Sequence, residues 1–245
     1  MLAVWCAALA SAGDLISVRW GPEAPIYEVV DTTHTGDGAI VTFPDQAVEV
    51  LVLADLSDSI DGDEARQMRA TLETLYEALL VRAHPGDRFG VTAFAGKTQR
   101  WIPMGPLDRP GLVGWLDRFG LPRTSWREPV AYGDHPDILP VPPDPRALDR
   151  NETDAARGIE VANRELVDLD EHSLKVIVML WDGGHNGWGH LDGALDRAWA
   201  DEIHVWSMSF THPLGPLVTR GGGDAYVVKN CGPIVAERIV SELRF

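Results

Sequence analysis

From residue 48 onward, runs of apolar residues alternate along the chain with segments of helical period. Residues 48–54 and 176–181 are almost continuously apolar, as in strands that are buried on both faces. Residues 64–84 instead place apolar side chains three and four positions apart, which is typical of a helix with one buried face. Strands alternating with helices indicate a mostly parallel sheet. We predict a doubly wound α/β domain over residues 47–245.

The same patterns predict the remaining elements of this domain. Further strands are expected at 89–94, at an edge position near 99–102, at 203–210 and at 225–228. Further helices are expected at 110–119, 155–166, 191–199 and 233–243. Open α/β sheets bind their ligands in the crevice outside the carboxyl ends of the strands, so the loops that follow the strands are the first place to look for a site.

The N-terminal part of the chain precedes this alternation. Residues 13–46 hold three β-like runs, 15–20, 26–30 and 39–43, separated by Gly-Pro and Thr-Gly-Asp-Gly turn signals. A segment this short rarely holds a core alone, so we expect an N-terminal β extension that packs on the domain.

Residues 1–12 are apolar and end in a small-x-small pattern, Ala10-Ser11-Ala12, although they lack a basic region. This run is too short to span a bilayer, and no other stretch is apolar enough to do so. A secretory signal and an ordered first helix both remain open. The cleavage pattern favours export, so we expect a periplasmic or secreted protein, with a cytoplasmic protein as the alternative.

The composition of the chain excludes some classes of function. The chain has 245 residues, 45% of them hydrophobic, which is enough for a large core without disulfides. A formal net charge of −16 argues against nucleic-acid binding, which needs clustered Lys and Arg. The two cysteines, Cys6 and Cys231, cannot form a disulfide framework, and a buried inert thiol is favoured for Cys231 over a reactive one.

Small oxygen-bearing side chains follow the two most apolar strands and precede one helix. Asp55, Ser57 and Ser59 come directly after residues 48–54, Asp182 comes directly after 176–181, and Thr153 precedes the helix predicted at 155–166. The Asp-x-Ser-x-Ser sequence alone is common in turns. Helix and turn capping is the alternative role for all of these residues.

Taken together, these segments resemble the metal-ion-dependent adhesion site (MIDAS) of von Willebrand factor A (vWA) domains, whose signature is Asp-x-Ser-x-Ser with a distant Thr and a distant Asp. Gly158-Ile159 and Gly183 are also similar to residues of that pattern, whereas Trp181 replaces a small hydroxyl residue. The resemblance implies a Rossmann-like sheet of six strands with helices on both faces. Residues 86–95 and 102–104 resemble bacterial members, including aerotolerance-operon proteins.

The resemblance also implies a ligand set for Mg²⁺, or for Mn²⁺ or Ca²⁺: Asp55, Ser57, Ser59, Thr153 and Asp182. Mg²⁺ takes about six oxygens near 2.1 Å. Only two of these residues are acidic, and some of them would contact the ion through water, so the ion keeps residual positive charge. It also keeps an open position, which an acidic side chain of a protein partner would fill. Trp181 is expected to alter a hydrogen bond behind the ligands.

Two segments beside this site have open roles. Residues 120–150 contain seven prolines and form an insertion that we interpret either as a lid or specificity loop or as a surface elaboration. The glycine-rich loop after Asp182 contains His185, Asn186 and Trp188. We predict these as a rim that contacts the partner, because Trp is frequent at interface hot spots, although packing of Trp188 on the insertion and a solvated loop are alternatives.

Enzyme signatures are incomplete. A haloacid dehalogenase would have a second Asp at Ser57, an α/β hydrolase would have Gly-x-Ser-x-Gly after a strand, and a two-metal nuclease would need more carboxylates than Asp55 and Asp182. The sequence therefore predicts a cation-dependent protein-binding module and not an enzyme. A scaffold with a silent metal site is the main alternative, followed by an unrecognised metal-dependent hydrolase.

Overall fold

The computed structural model describes residues 15–20, 25–30, 46–60, 62–108, 148–169, 172–187, 189–210, 222–228 and 231–243. Strands and helices alternate along these residues. In chain order they are β1 (Leu15–Trp20), β2 (Pro25–Val30), β3 (Val48–Asp55), α1 (Gly62–Val81), β4 (Arg88–Phe94), β5 (Thr98–Pro106), α2 (Ala155–Val167), β6 (Leu174–Trp181), α3 (Leu191–Ala200), β7 (Ile203–Ser209), β8 (Gly222–Val227) and α4 (Gly232–Glu242).

A six-stranded sheet runs in the order β5-β4-β3-β6-β7-β8. Neighbouring strands are parallel except for β4 and β5, which pair antiparallel at one edge. The chain builds outward from β3 to β5 and then crosses to the other side of β3, where it continues from β6 to β8. The strand order therefore reverses between β3 and β6. The predicted doubly wound, mostly parallel sheet is confirmed.

The two faces of the sheet are buried under different helices, because successive strand residues point to opposite sides. Val50 and Val52 of β3 pack in a cluster with α1 and α4, whereas Leu51 and Leu53 pack in a second cluster with α2 and α3. The alternate residues of β6 divide in the same way. Both faces being covered explains why these strands are apolar at nearly every position.

Several predicted boundaries shift. The edge strand extends over Thr98–Pro106, beyond the predicted 99–102, and α1 ends at Val81, before residue 84. Strand β5 contains Pro103 and Pro106, and its pairing with β4 is irregular. An edge strand tolerates prolines because it has a neighbour on one side only. The helix predicted at 110–119 lies outside the described residues.

Two of the three N-terminal β runs form strands. Strands β1 and β2 pair antiparallel in a sheet of their own, with Leu15 opposite Val30. The third run, the segment 1–12 and all but the end of the 120–150 insertion lie outside the described residues. Within the described part of the chain, no helix is long and apolar enough to cross a membrane. Cys231 is buried directly before α4.

Candidate metal centre

The candidate site begins where β3 and β6 end side by side. Ala54 pairs with Leu180 across the two strands, so Asp55 and Asp182 continue from neighbouring strand ends at the point where the strand order reverses. On its other side, Asp55 pairs with Phe94 at the end of β4. Ligands of open α/β sheets bind at such reversal points. The fold therefore brings both predicted carboxylates to this crevice.

Both carboxylates are held by the amide two residues further along the chain. The Ser57 amide donates to Asp55 Oδ1 at 2.8 Å, and the Gly184 amide donates to Asp182 Oδ1 at 2.7 Å. Asp side chains commonly close turns in this way. The residue between Asp182 and Gly184 is Gly183, whose φ of 90° suits glycine. Each carboxylate thus has its Oδ1 fixed by its own loop.

Asp55 lies in an environment that disfavours its charge. Its side chain is 0% exposed, and Oδ2 has no hydrogen-bond partner among the residues that the structure describes. Burial raises the pKa of Asp55 from 3.8 to about 7; the amide and hydroxyl of Ser57 oppose this rise, the nearby Asp182 carboxylate adds to it, and the Asp182 amide opposes it slightly. A buried carboxylate whose hydrogen bonds do not offset its burial needs a proton or a cation. Asp55 is therefore suited to a cation.

The Ser57 hydroxyl lies beside this carboxylate, and the Ser59 hydroxyl lies beside that of Ser57. Ser57 Oγ and Ser59 Oγ are 2.8 Å apart and hydrogen-bonded to each other. Ser57 is buried, whereas Ser59 is exposed. Hydroxyl and carboxylate oxygens are the donors that hard divalent cations prefer. The donor set at the end of β3 consequently fits such a cation.

Thr153 lies at the same edge of the sheet, fixed by the loops that follow β4 and β6. Its amide donates to Asn186 Oδ1 at 2.6 Å, and its carbonyl accepts from the Asn186 amide at 3.1 Å. The next amide, that of Asp154, donates to Ala95 O at 2.9 Å, directly after β4. The three predicted ligand segments therefore meet at the carboxyl ends of the strands, and the role of their side chains as ligands stays a prediction.

His185 and Asn186, predicted as rim residues, contact the Thr153 segment directly. The His185 ring lies with Nδ1 3.2 Å from Thr153 O and Nε2 2.9 Å from Gly189 O, while Asn186 makes the contacts described above. These side chains therefore support the Thr153 segment, a role that the sequence did not suggest. Trp188 lies outside the described residues.

Two glycines allow this loop to lie against the start of α2. A Cβ added at Gly187 would overlap Asp154, and one added at Gly189 would come within 2.5 Å of Ala156 Cβ. Asp154 itself caps α2, since its Oδ1 accepts from the Arg157 amide at 3.0 Å. The loop after β6 and the start of α2 are consequently packed as one unit.

Arg150 is a residue of the site that the sequence did not point to. Its guanidinium donates to Leu56 O and Ser57 O and forms an ion pair with Asp58, all within the loop that carries the first three predicted ligands. No local motif marks it, because it lies at the end of the proline-rich insertion and its partners are more than ninety positions away.

Trp181, the departure from the vWA pattern, faces the core and not the crevice. Its Nε1 donates to Ser207 Oγ at 2.7 Å, and its ring is buried on the face covered by α2 and α3. Among the described residues, no group of three or more His, Cys, Asp or Glu side chains is arranged to hold a metal. A cation here would rest on two carboxylates supplemented by hydroxyls.

Comparisons with known proteins define the fold as that of vWA domains. No protein-family model matches the chain, and no curated protein matches it significantly. Solved structures do match. An aerotolerance-related membrane protein from Bacteroides fragilis is 15% identical, with 80% of this chain and 98% of that chain covered and a TM-score of 0.57.

Two further structures with this fold come from other sources. Proximal thread matrix protein 1 from the mussel byssus, with a zinc-occupied MIDAS motif, is 13% identical, covers 82% of this chain and 48% of that chain, and has a TM-score of 0.58. A von Willebrand factor type A structure from Catenulispora acidiphila is 12% identical and has a TM-score of 0.55. The match covers 81% of this chain and 43% of that chain.

Proposed function

We propose that this chain is a divalent-cation-dependent protein-binding module that acts in adhesion or assembly. The observation that carries the proposal is Asp55: a fully buried carboxylate with a raised pKa and a second oxygen that lacks a hydrogen-bond partner in the described part of the chain. Asp182 adds a second negative charge nearby. Such a pair is costly unless a cation or a proton compensates it.

The residues proposed to hold the cation are Asp55, Ser57, Ser59, Thr153 and Asp182. Mg²⁺ is the first candidate, with Mn²⁺ or Ca²⁺ as alternatives, since all are hard cations that prefer oxygen. When bound, the cation would supply a positive centre for an acidic side chain of a protein partner. The chain itself would contribute the two fixed carboxylates, the two hydrogen-bonded serine hydroxyls and the Thr153 segment that Asn186 holds in place.

This role is supported by the nature of the structural neighbours. One is a matrix protein whose MIDAS motif holds zinc, and another is an aerotolerance-related membrane protein. A pilus adhesin from Lactobacillus rhamnosus shares the fold, with a TM-score of 0.52 and 9% identity. By analogy, we propose a bacterial chain that works in the periplasm or outside the cell.

We propose binding in preference to catalysis. The two carboxylates are each engaged with an amide of their own loop, and within the described residues no third acid or histidine joins them as a metal-holding group. Two-metal hydrolysis would require a denser cluster. The site as described suits capture of one cation and one acidic group.

Calorimetric titration of Mg²⁺ and Mn²⁺ into chelator-treated protein tests the proposal. We expect saturable binding by the wild type and none by Asp55→Ala. The matched control is Asp168→Asn, which removes an exposed acid at the end of α2 far from Thr153 and should bind like the wild type. No binding by the wild type at millimolar cation would indicate a scaffold with a silent site.

A further inference from the structure

The segment just before Thr153 is fixed against the loop that follows β4. The Gly96 amide donates to Asp149 O at 3.0 Å, and the Lys97 amide donates to Leu148 O at 2.8 Å. Leu148 is fully buried in the cluster beneath α1 and α4. Asp149 adopts a φ of 52°, which non-glycine residues rarely have. The Arg150 side chain therefore projects from a stretch of backbone that hydrogen bonds and burial hold in place.

From this position, Arg150 contacts the loop after β3 through its side chain and its backbone. Its Nε lies 2.7 Å from Leu56 O, its Nη2 lies 3.2 Å from Ser57 O, and its Nη1 lies 3.1 Å from Asp58 Oδ1. In return, the Asp58 amide donates to Arg150 O at 2.9 Å. The Arg150 side chain is 19% exposed, so these bonds are partly shielded from water.

These contacts fix Ser57 from two sides. Its amide donates to Asp55 Oδ1, while its carbonyl accepts from Arg150. A planar guanidinium with several donors is able to hold adjacent carbonyls and a carboxylate at once, which a lysine ammonium cannot do with the same geometry.

We propose that Arg150 is a positioning residue for the candidate cation site. It holds the loop from Asp55 to Ser59 in the shape that presents the Asp55 carboxylate and the two serine hydroxyls together, before any cation arrives. The consequence for cation affinity rests on the proposed function, whereas the order of the loop does not.

Charge and positioning predict opposite effects of removing Arg150. A guanidinium near a cation site repels the cation, so its loss would tighten binding if charge dominated. The Asp58 carboxylate, 3.1 Å away, offsets much of this repulsion. Loss of positioning would weaken binding instead, because groups that orient metal ligands typically contribute about 10-fold to 100-fold in affinity. The sign of the change distinguishes the two.

The experiment compares Arg150→Ala, Arg150→Lys and Arg157→Ala by calorimetric titration of Mg²⁺, well below the melting temperature of each variant. Arg157 is exposed in the first turn of α2 and controls for loss of a positive charge near Thr153. We expect about 10-fold to 100-fold weaker binding for Arg150→Ala, a smaller loss for Arg150→Lys, and about wild-type affinity for Arg157→Ala. Equal or tighter binding by Arg150→Ala would overturn the proposal.

Hydrogen exchange of the metal-free protein gives a second measurement that does not depend on cation binding. Faster exchange of the amides of residues 56–59 in Arg150→Ala, with unchanged exchange in β6, is the expected result. Unchanged exchange in the loop would overturn the positioning role even if the cation bound. If the wild type binds no cation, the proposed function fails and this exchange measurement alone decides the role of Arg150. Should Arg150→Ala fail to fold, the Mg²⁺ titration and the hydrogen-exchange measurement are both made on Arg150→Lys.

Discussion

The Asp182 carboxylate lies close enough to Asp55 for its negative charge to add to the raised pKa of that residue. The two side chains continue from neighbouring parallel strands, and each accepts a hydrogen bond from the amide two positions ahead. The backbone thus holds together two carboxyl groups that repel each other when both are ionised. A proton or a cation bound at this point would relieve the repulsion between them.

The metal-free protein should lose stability as the pH rises from about 4 to about 7. Folded Asp55 keeps its proton up to its pKa of about 7, whereas the unfolded carboxyl releases it near 3.8, so the contribution is complete below the lower value and lost at the higher one. The shift corresponds to on the order of 4 kcal/mol. Urea denaturation in chelator across this pH range measures the change in the free energy of unfolding.

The contribution of Asp55 is isolated by comparing the free energy of unfolding of the wild type with that of Asp55→Asn across this pH range. Because Asn has no proton to lose, the variant should show a smaller decline with pH and should approach or exceed wild-type stability near pH 8. Asp168→Asn should keep the wild-type decline. Identical pH profiles for all three proteins would mean that Asp55 titrates at the same pH when folded and unfolded.

A cation that binds only the folded protein should raise its melting temperature. At a hundredfold excess over Kd the stabilisation is about 2.7 kcal/mol, which corresponds to roughly 5–10 °C for a domain of this size. Asp182→Ala should abolish the increase, because it removes one of the two carboxylates. Scanning calorimetry with and without millimolar Mg²⁺ or Mn²⁺ provides the measurement, and an increase that survives in Asp182→Ala would locate the cation elsewhere.

Gly187→Ala should destabilise the protein and weaken cation binding together. The added methyl group would overlap Asp154, so the loop after β6 must move away from the start of α2, at a cost of about 1–3 kcal/mol. Gly193→Ala is the matched control, because Gly193 is exposed in α3 with only the His190 Cβ near its added methyl, 3.9 Å away. In that helix, alanine should stabilise by up to about 1 kcal/mol.

Urea denaturation of the two glycine variants tests this contrast. Equal stability of Gly187→Ala and the wild type would show that the loop shifts without cost. A stability loss without any loss of cation affinity would show that the contact between the loop and α2 serves the fold and not the site.

Binding of a protein partner should require the cation. Chelation and Asp182→Ala should each weaken the complex strongly, since each removes the proposed positive centre. Trp188→Ala should cost about 2 kcal/mol or more if this residue is an interface hot spot. Surface plasmon resonance against a captured partner measures these effects, and a partner whose affinity survives both chelation and Asp182→Ala must bind another surface.

The sheet could be predicted from the sequence because its strands are covered on both faces. That arrangement makes residues 48–54 and 176–181 apolar throughout, and it also marks Asp55 and Asp182 as the first polar positions after buried strands. Strand ends next to the reversal of strand order are brought together by topology alone. Side chains that follow such strands are therefore accessible to sequence-based prediction.

The supports of the site could not be predicted in the same way. Arg150 reaches the loop after β3 across a separation of 94 positions, and Asn186 reaches Thr153 across 33. Neither contact is marked by hydrophobic periodicity or by a local sequence motif. Each depends on where a loop lies in the folded chain: the end of the insertion for Arg150 and the glycine-rich loop for Asn186. The extent of β5 was also missed, since its prolines argue against a strand unless it lies at an edge.

Those prolines have a consequence for how the sheet meets other proteins. Pro103 and Pro106 have no amide hydrogen to offer, and the irregular pairing with β4 further disturbs the row of donors along β5. Natural proteins use such features to prevent a sheet edge from recruiting a strand of another chain. Two prolines and an irregular pairing therefore make the β5 edge a poor template for a strand of another chain.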